Sequence, residues 1–214
     1  MKHLFQLVFI ATMLFASCSK QQNETLLVQL SDIKAMGDTL PNVAMQRLDS
    51  IKPQFDNESE YMRNKFALLD TRLHDKAYIT HTSIKPIKGV CGYFEENGTA
   101  AELQEAYYYM ASVYRDLNDY PNAVTYFLKS AEVAESNSDI DGALWKNAYS
   151  QLSYLYNQQF NYSNALDAAI KGLDIAEKFN TSNERTYINT STAYFESGDT
   201  TNATTLCNRS EERR

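Results

Sequence analysis

The chain has 214 residues, of which 43% are hydrophobic and 22% are charged, a globular composition that excludes a wholly disordered chain. It has only 7 glycines and 4 prolines beside 15 tyrosines, so tight turns are few, which argues against an all-β sandwich or barrel and favours long helices. The formal net charge of −7 argues against a nucleic-acid-binding surface, because such a surface needs a basic excess.

Residues 1–17 are predicted to be an export signal. Lys2 and His3 precede an apolar run over residues 4–16. This run is shorter than the roughly 20 residues that a helix needs to span a bilayer. A short charged segment, a short apolar segment and small residues before a cleavage point are typical of a signal peptide.

The end of this signal resembles a bacterial lipobox, in which a cysteine is acylated and becomes the new N-terminus. The resemblance rests on Ala16, Ser17 and Cys18; Phe15 departs from it, since the family usually has leucine at that place. It implies lipidation at Cys18, followed by a flexible polar tether over residues 18–24. The alternative is a plain secretory signal with an incidental cysteine.

Four helices are predicted before residue 100. Apolar residues recur at helical spacing in each of them, although Gly89 and Gly92 weaken the fourth. The predicted helices are residues 26–36, a helix that begins at Pro41, residues 60–73 and residues 83–96. Together they predict degenerate helical hairpins over residues 25–99.

From residue 102 onward, two tyrosines and an alanine recur with spacings of seven and nine residues. The three sets are Tyr107, Tyr114 and Ala123; Tyr149, Tyr156 and Ala165; and Tyr187, Tyr194 and Ala203. An asparagine precedes each alanine, and a small residue lies three places before each second tyrosine. Positions i, i+4 and i+7 share one face of a helix, and turn-prone residues follow each second tyrosine. The pattern predicts hairpins over about 104–137, 146–179 and 184–214, with tyrosines packed between successive hairpins and their hydroxyls at the rim.

This pattern resembles the tetratricopeptide repeat, a helix–turn–helix unit of about 34 residues. The matching positions are Ala111, Tyr114, Ala123, Phe127 and Ser130; Ser153, Tyr156, Ala165, Ala169 and Gly172; and Ser191, Tyr194, Gly198, Ala203 and Ser210. Tyrosine replaces the tryptophan of the family's first helix, and successive alanines lie 42 and 38 residues apart. The resemblance implies an all-α, right-handed solenoid of stacked hairpins over residues 25–214.

The sequence has no recognisable catalytic or metal-binding constellation. His74 and His81 are seven residues apart without cysteine or paired carboxylates at ligand spacing, and they are interpreted as exposed residues near a turn. Glycine-rich phosphate loops, nucleophile elbows and zinc-protease motifs do not occur. The chain is therefore predicted to be no enzyme and to bind no cofactor or metal. Cys91 and Cys207 are expected to be unpaired and partly buried.

The resemblance also implies a concave groove lined by the first helix of each hairpin. The corresponding positions are Glu105, Tyr108, Ser112, Arg115, Asn147, Ser150, Tyr154, Asn157, Arg185, Ile188, Thr192 and Phe195. Some family members bind a carboxylate of the partner with lysine and asparagine at two groove positions. This chain has Tyr108 and Ser112 at those positions, so that carboxylate-binding site is absent. Tyr108 and Tyr154 lie outside the helix face that carries the repeat tyrosines, and they are expected to be exposed. The mixture of aromatic, amide and charged side chains suits an extended peptide or a helix.

These observations predict a non-catalytic scaffold of the bacterial cell envelope, attached to a membrane through Cys18 on the periplasmic or outer-membrane side. It would bind a protein or peptide partner and no nucleic acid. The alternative is the N-terminal input part of a longer, truncated transcriptional or signalling regulator, because no polar capping helix follows the third hairpin. The oligomeric state is left open by the sequence.

Overall fold

The computed structural model of the chain describes residues 24–181 and 184–211. The predicted signal peptide, Cys18 and the tether before residue 24 lie outside these ranges. All regular secondary structure within them is helical, which confirms the all-α prediction. No helix in the described ranges is both long enough and apolar enough to cross a bilayer. The chain divides between Ile79 and Thr80 into two compact units.

The first unit contains α1 (24–37), α2 (Pro41–Ile51), a short 3-10 helix (Lys52–Phe55) and α3 (Glu60–Lys76). Its core is built from apolar residues at helical spacing, among them Leu26 and Ile33 of α1, Leu48 of α2 and Leu73 of α3. Gly37 lies against this core, because a Cβ atom there would meet Cδ2 of Leu73 and force that side chain to shift. The three helices predicted in this region are confirmed.

The second unit contains seven helices within the described residues. They are α4 (Lys85–Asn97), α5 (Ala100–Asp116), α6 (Tyr120–Ser136), α7 (Gly142–Gln158), α8 (Tyr162–Lys178), α9 (Glu184–Glu196) and α10 (Thr200–Glu211). The pairs α5–α6, α7–α8 and α9–α10 are the three predicted hairpins, and successive hairpins pack against each other. Helix α4 also forms as predicted, with Ile87, Cys91 and Phe94 buried.

The turns within the three hairpins share one geometry. The second residue after each first helix has a positive φ, and the residue that follows it caps the second helix. The left-handed residues are Asn118, Phe160 and Gly198, and the caps are Asp119, Asn161 and Asp199. Each cap accepts a hydrogen bond from the backbone N–H three residues on, which belongs to the asparagine that precedes the repeated alanine. The recurring asparagines are thus part of the caps.

Neighbouring helices approach closely enough for hydroxyl groups to bond backbone carbonyls across the boundary. Ser191 of α9 donates to the carbonyl of Ala203 in α10 at 2.6 Å, and Ser130 of α6 donates to the carbonyl of Gln104 in α5 at 2.9 Å. Ala111, Ala123 and Ala165 are fully buried. Small residues therefore set the helix spacing, as the repeat pattern predicted.

A buried glutamine connects the α5–α6 hairpin to the next hairpin. The side-chain amide of Gln104 donates to the carbonyl of Asp141 at 3.0 Å and accepts from the backbone N–H of Asp141 at 2.8 Å. Asp141 in turn caps α7 through the N–H of Leu144. Because Gln104 is fully buried, this paired bond fixes where α7 begins relative to α5.

Three tyrosine–glutamate hydrogen bonds, here called the Tyr–Glu rungs, connect successive helix pairs. In each rung the hydroxyl of the first repeat tyrosine donates to a carboxylate on the preceding helix. The pairs are Tyr107 with Glu95 at 3.0 Å, Tyr149 with Glu135 at 2.7 Å and Tyr187 with Glu177 at 2.9 Å. The predicted position of these tyrosines between hairpins is confirmed.

Tyr149→Phe should lower the free energy of unfolding by about 1 kcal/mol, because it removes a hydrogen bond to a charged group. The effect stays modest because the side chain of Glu135 is exposed to water. Urea denaturation at pH 8 measures it. Tyr154→Phe on the same helix is the matched control, since half of the Tyr154 side chain is exposed, and it should change stability by less than about 0.5 kcal/mol.

The stabilisation by this rung should depend on pH in the alkaline range. Burial and the hydrogen bond to Glu135 raise the pKa of Tyr149 above its ordinary value of 10.0. The folded state therefore disfavours the phenolate form of Tyr149. The contribution of Tyr149 to the free energy of unfolding is complete below pH 10 and is lost as the pH rises further. The stability difference between the wild type and Tyr149→Phe should narrow above pH 10; a constant difference up to pH 11 would contradict the rung.

Candidate functional site

A polar pocket of about 280 Å³ opens between the first helices of the second and third hairpins. We call it the α7–α9 pocket. Its lining consists of Ser150, Ser153, Tyr154, Asn157 and Gln158 of α7; Ala169 and Gly172 of α8; and Thr186, Asn189, Thr190, Thr192 and Glu196 of α9. Four of the predicted groove residues, namely Ser150, Tyr154, Asn157 and Thr192, are among them. The structure thus brings part of the predicted groove together at one place.

The pocket exists because small residues replace aromatic ones in the second hairpin. In the first hairpin, the ring of Tyr108 packs edge-on against Phe127 at 5.2 Å and fills the corresponding space. The equivalent positions in the second hairpin hold Ser150 and Ala169, which both line the pocket. Because Ser150 and Ala169 have no aromatic rings, the space between the helices stays open in the second hairpin.

Helix α9 is anchored at the side of this opening. The hydroxyl of Thr190 donates to the carbonyl of Thr186 on its own helix at 3.0 Å and lies 3.4 Å from the carbonyl of Ala169 on α8. On α8, Gly172 faces α7, where a Cβ atom would make an ordinary contact of 3.4 Å with the Cβ of Tyr149. The walls of the pocket are therefore held by contacts between all three helices.

The lining is rich in hydroxyl and amide groups and contains a single carboxylate, Glu196. No lysine, arginine or histidine is among its residues. The side-chain oxygen of Asn157 is buried and has no hydrogen-bond partner in the described part of the structure. Buried acceptors are nearly always satisfied, so a donor brought by a ligand would fit here. Such a lining suits hydrogen bonding to a peptide backbone.

The predicted groove residues on α9 form an exposed face beside the pocket. Ile188, Thr192 and Phe195 follow at i, i+4 and i+7, and all three side chains are exposed. Phe195 is 66% exposed, an unusually open position for a phenylalanine. The side chain of Arg185 lies outside the described part of the structure. Asn147 is partly buried and does not line the pocket.

The predicted groove residues on α5 are mostly covered. Glu105, Tyr108 and Ser112 are buried, so the expectation that Tyr108 is exposed was wrong, whereas Tyr154 is 50% exposed as expected. Tyr108 is enclosed because its ring contacts both Tyr109 and Phe127. Arg115 donates to the side-chain oxygen of Gln151 at 3.1 Å and so connects α5 to α7.

The interpretation of His81 as an exposed residue was wrong, because only 13% of its side chain is exposed. Its ring nitrogen Nδ1 lies 2.8 Å from Oδ2 of Asp116, which also accepts the backbone N–H of His81 at 3.1 Å. Although burial acts to raise the pKa of Asp116, the hydrogen bonds from His81 and Arg115 lower it to about 2. This contact fixes the segment before α4 against the end of α5.

The residues that the structure describes offer no geometry for metal binding. Within them, no group of three histidine, cysteine or acidic side chains could hold a metal ion. Cys91 and Cys207 are unbonded; Cys91 is buried, whereas Cys207 is exposed rather than partly buried as expected. Burial and the neighbouring Glu95 raise the pKa of Cys91 to about 12, so its thiol is a poor nucleophile.

Alanine substitutions of Tyr108 and Tyr154 should show by their effects on stability that Tyr108 is a core residue and Tyr154 a surface residue. Tyr108→Ala should lower the free energy of unfolding by about 3 kcal/mol, because it leaves a cavity beside Phe127. Tyr154→Ala should change it by less than about 0.5 kcal/mol. Chemical denaturation followed by circular dichroism measures both values. Equal losses would mean that Tyr154 is also a packing residue.

Residues 102–178 match the family model of the tetratricopeptide repeat. No curated protein matches the sequence. Solved structures share the fold over most of the described helices, although their sequences are at most 17% identical to this chain.

Four of these structures illustrate the likeness. The apo form of RapI has a TM-score of 0.70 at 16% identity, covering 88% of this chain and 69% of RapI. BtubC from P. vanneervenii has a TM-score of 0.62 at 17% identity, with coverages of 86% and 73%. The nearly identical TPR-like repeats of a Podosopora anserina putative kinesin light chain give 0.63 at 12% identity, with coverages of 88% and 94%. A Rap protein complexed with Competence and Sporulation Factor gives 0.69 at 14% identity, covering 91% of this chain and 56% of that protein.

Proposed function

We propose that the chain is a non-catalytic scaffold that binds a segment of a protein or peptide at the surface formed by α7 and α9. The α7–α9 pocket carries this proposal, because it combines hydrogen-bonding groups with the exposed ring of Tyr154. Ile188 and Phe195 extend the surface with apolar side chains. Tetratricopeptide repeat proteins are generally non-catalytic scaffolds. The structurally similar Rap protein in complex with Competence and Sporulation Factor supports a partner-binding role.

Filling the pocket should abolish partner binding without unfolding the chain. Peptides selected from a random library on the immobilised full chain would be labelled, and their Kd measured by fluorescence anisotropy. Ser150→Tyr restores the aromatic residue that closes the first hairpin and should weaken binding at least tenfold, or about 1.4 kcal/mol. Ser163→Tyr, on the exposed first turn of α8 outside the pocket, is the matched control and should leave the Kd unchanged. Equal affinities for both variants would place the binding surface elsewhere.

We also propose that the chain is exported and attached to a bacterial envelope membrane through acylated Cys18, on the periplasmic or outer-membrane side. The lipobox-like sequence before Cys18 supports this. Fatty-acid labelling and membrane fractionation of the full chain test it: Cys18→Ala should lose the label and leave the membrane fraction. Cys207→Ala, which removes an exposed thiol on α10, should behave like the wild type. A label that persists in Cys18→Ala would refute the anchor.

A further inference from the structure

The turn between α7 and α8 contains a phenylalanine in a conformation that phenylalanine avoids. Phe160 has a φ of 58° and is 78% exposed. The same position in the other two hairpins holds Asn118 and Gly198, the residue types that tolerate a left-handed backbone. Neither local conformation nor burial therefore favours phenylalanine here. A strained and exposed aromatic residue of this kind points to a role in an interaction.

A second aromatic residue enlarges this protrusion. The ring of Tyr162 is 40% exposed and lies edge-on to the ring of Phe160, with 6.4 Å between the centroids. We call these two residues the aromatic knob. Residues 158–164 contain no charged side chain, although the whole chain has a net charge of −7. The knob is thus an apolar and uncharged projection on an acidic protein.

A shallow pocket of about 510 Å³ lies at the opposite end of α7. We call it the end pocket. Its apolar part consists of Ala101, Ile140, Gly142, Ala143 and Phe179, and its polar part consists of Asp139, Asp141 and Thr181, with the side chain of Asp139 exposed. The ring of Phe179 packs directly on Gly142, where a Cβ atom would approach it to 2.5 Å. This contact leaves a partly exposed aromatic ring in the pocket.

We propose that the aromatic knob of one copy docks into the end pocket of a second copy. Helix α7 has 17 residues and is therefore about 25 Å long, so the knob and the pocket at its two ends cannot meet within one molecule. The contact is heterologous, since each copy offers one different surface to each neighbour. Repetition of such a contact gives a row of copies rather than a closed pair.

Charge and size determine how strong this contact is. Two acidic copies repel each other, and the uncharged knob avoids bringing further carboxylates to the pocket. The side-chain amides of Gln159 and Asn161 can donate to the carboxylate of Asp139. Each aromatic ring buries at most about 150–250 Å², well below the ~800 Å² per partner of a stable interface. Association should therefore be weak and dependent on concentration.

Complementation between two variants tests the proposal. Phe160→Asn removes the knob but keeps the pocket, and Ala143→Arg fills the pocket but keeps the knob. Sedimentation velocity of the full chain should show a sedimentation coefficient that rises with concentration for the wild type. Each variant alone should sediment as a single copy at all concentrations. An equimolar mixture of the two should form pairs and nothing larger, because only one knob and one pocket remain.

Thermal melts separate a folding defect from a loss of docking. Phe160→Asn should keep or raise the melting temperature, because it relieves the left-handed strain. Ala143→Gln, a smaller change at the exposed position 143, replaces Ala143→Arg if the arginine variant does not fold. Phe160→Tyr retains an aromatic ring and should associate like the wild type. A wild type that remains a single copy, a Phe160→Asn variant that associates normally, or a mixture without pairs would each overturn the proposal.

Discussion

The close approach of neighbouring helices is the constraint on which the second unit depends. A serine hydroxyl is short, so the bond from Ser191 to the carbonyl of Ala203 requires the two helix axes to lie at the short end of the 8–10 Å range. Small residues must therefore occupy the crossing, and bulky ones must lie elsewhere. The first tyrosine of each repeat accordingly lies at the boundary with the preceding helix, where its hydroxyl donates to a glutamate of that helix. The short distance between the two helices of a hairpin thus leaves the large tyrosines to make the contacts with the preceding helix.

The same spacing between helices explains why the first hairpin has no pocket at the position where the second hairpin has one. Tyr108 and Phe127 fill the space beside α5, whereas Ser150 and Ala169 leave it empty beside α7. Because the backbone positions of the hairpins are set by small residues and caps, a change of side-chain size does not collapse the opening. The scaffold and its binding surface can therefore vary separately, as in other repeat proteins.

Helix α7 connects the features that the proposals use. Its first residues border the end pocket, its middle and last turns line the α7–α9 pocket, and the turn that follows it carries the aromatic knob. Gln104 fixes the start of this helix through the backbone of Asp141, and the rung from Tyr149 to Glu135 holds its flank. Both contacts come from the preceding hairpin, so the rigidity of α7 depends on its neighbour.

The sequence by itself determined the helices, the hairpins and the small residues at their crossings, because a period of 3.6 residues and local turn chemistry are properties of short segments. It also named Ser150, Tyr154, Asn157 and Thr192 as groove positions, and these residues line one pocket; their contact with a partner stays a prediction. Only the tertiary structure decided that Tyr108 is enclosed and Tyr154 is open. The reason is that burial depends on residues from other helices, such as Phe127, and on hydrogen bonds between hairpins. The spacing within one helix contains no information about those partners.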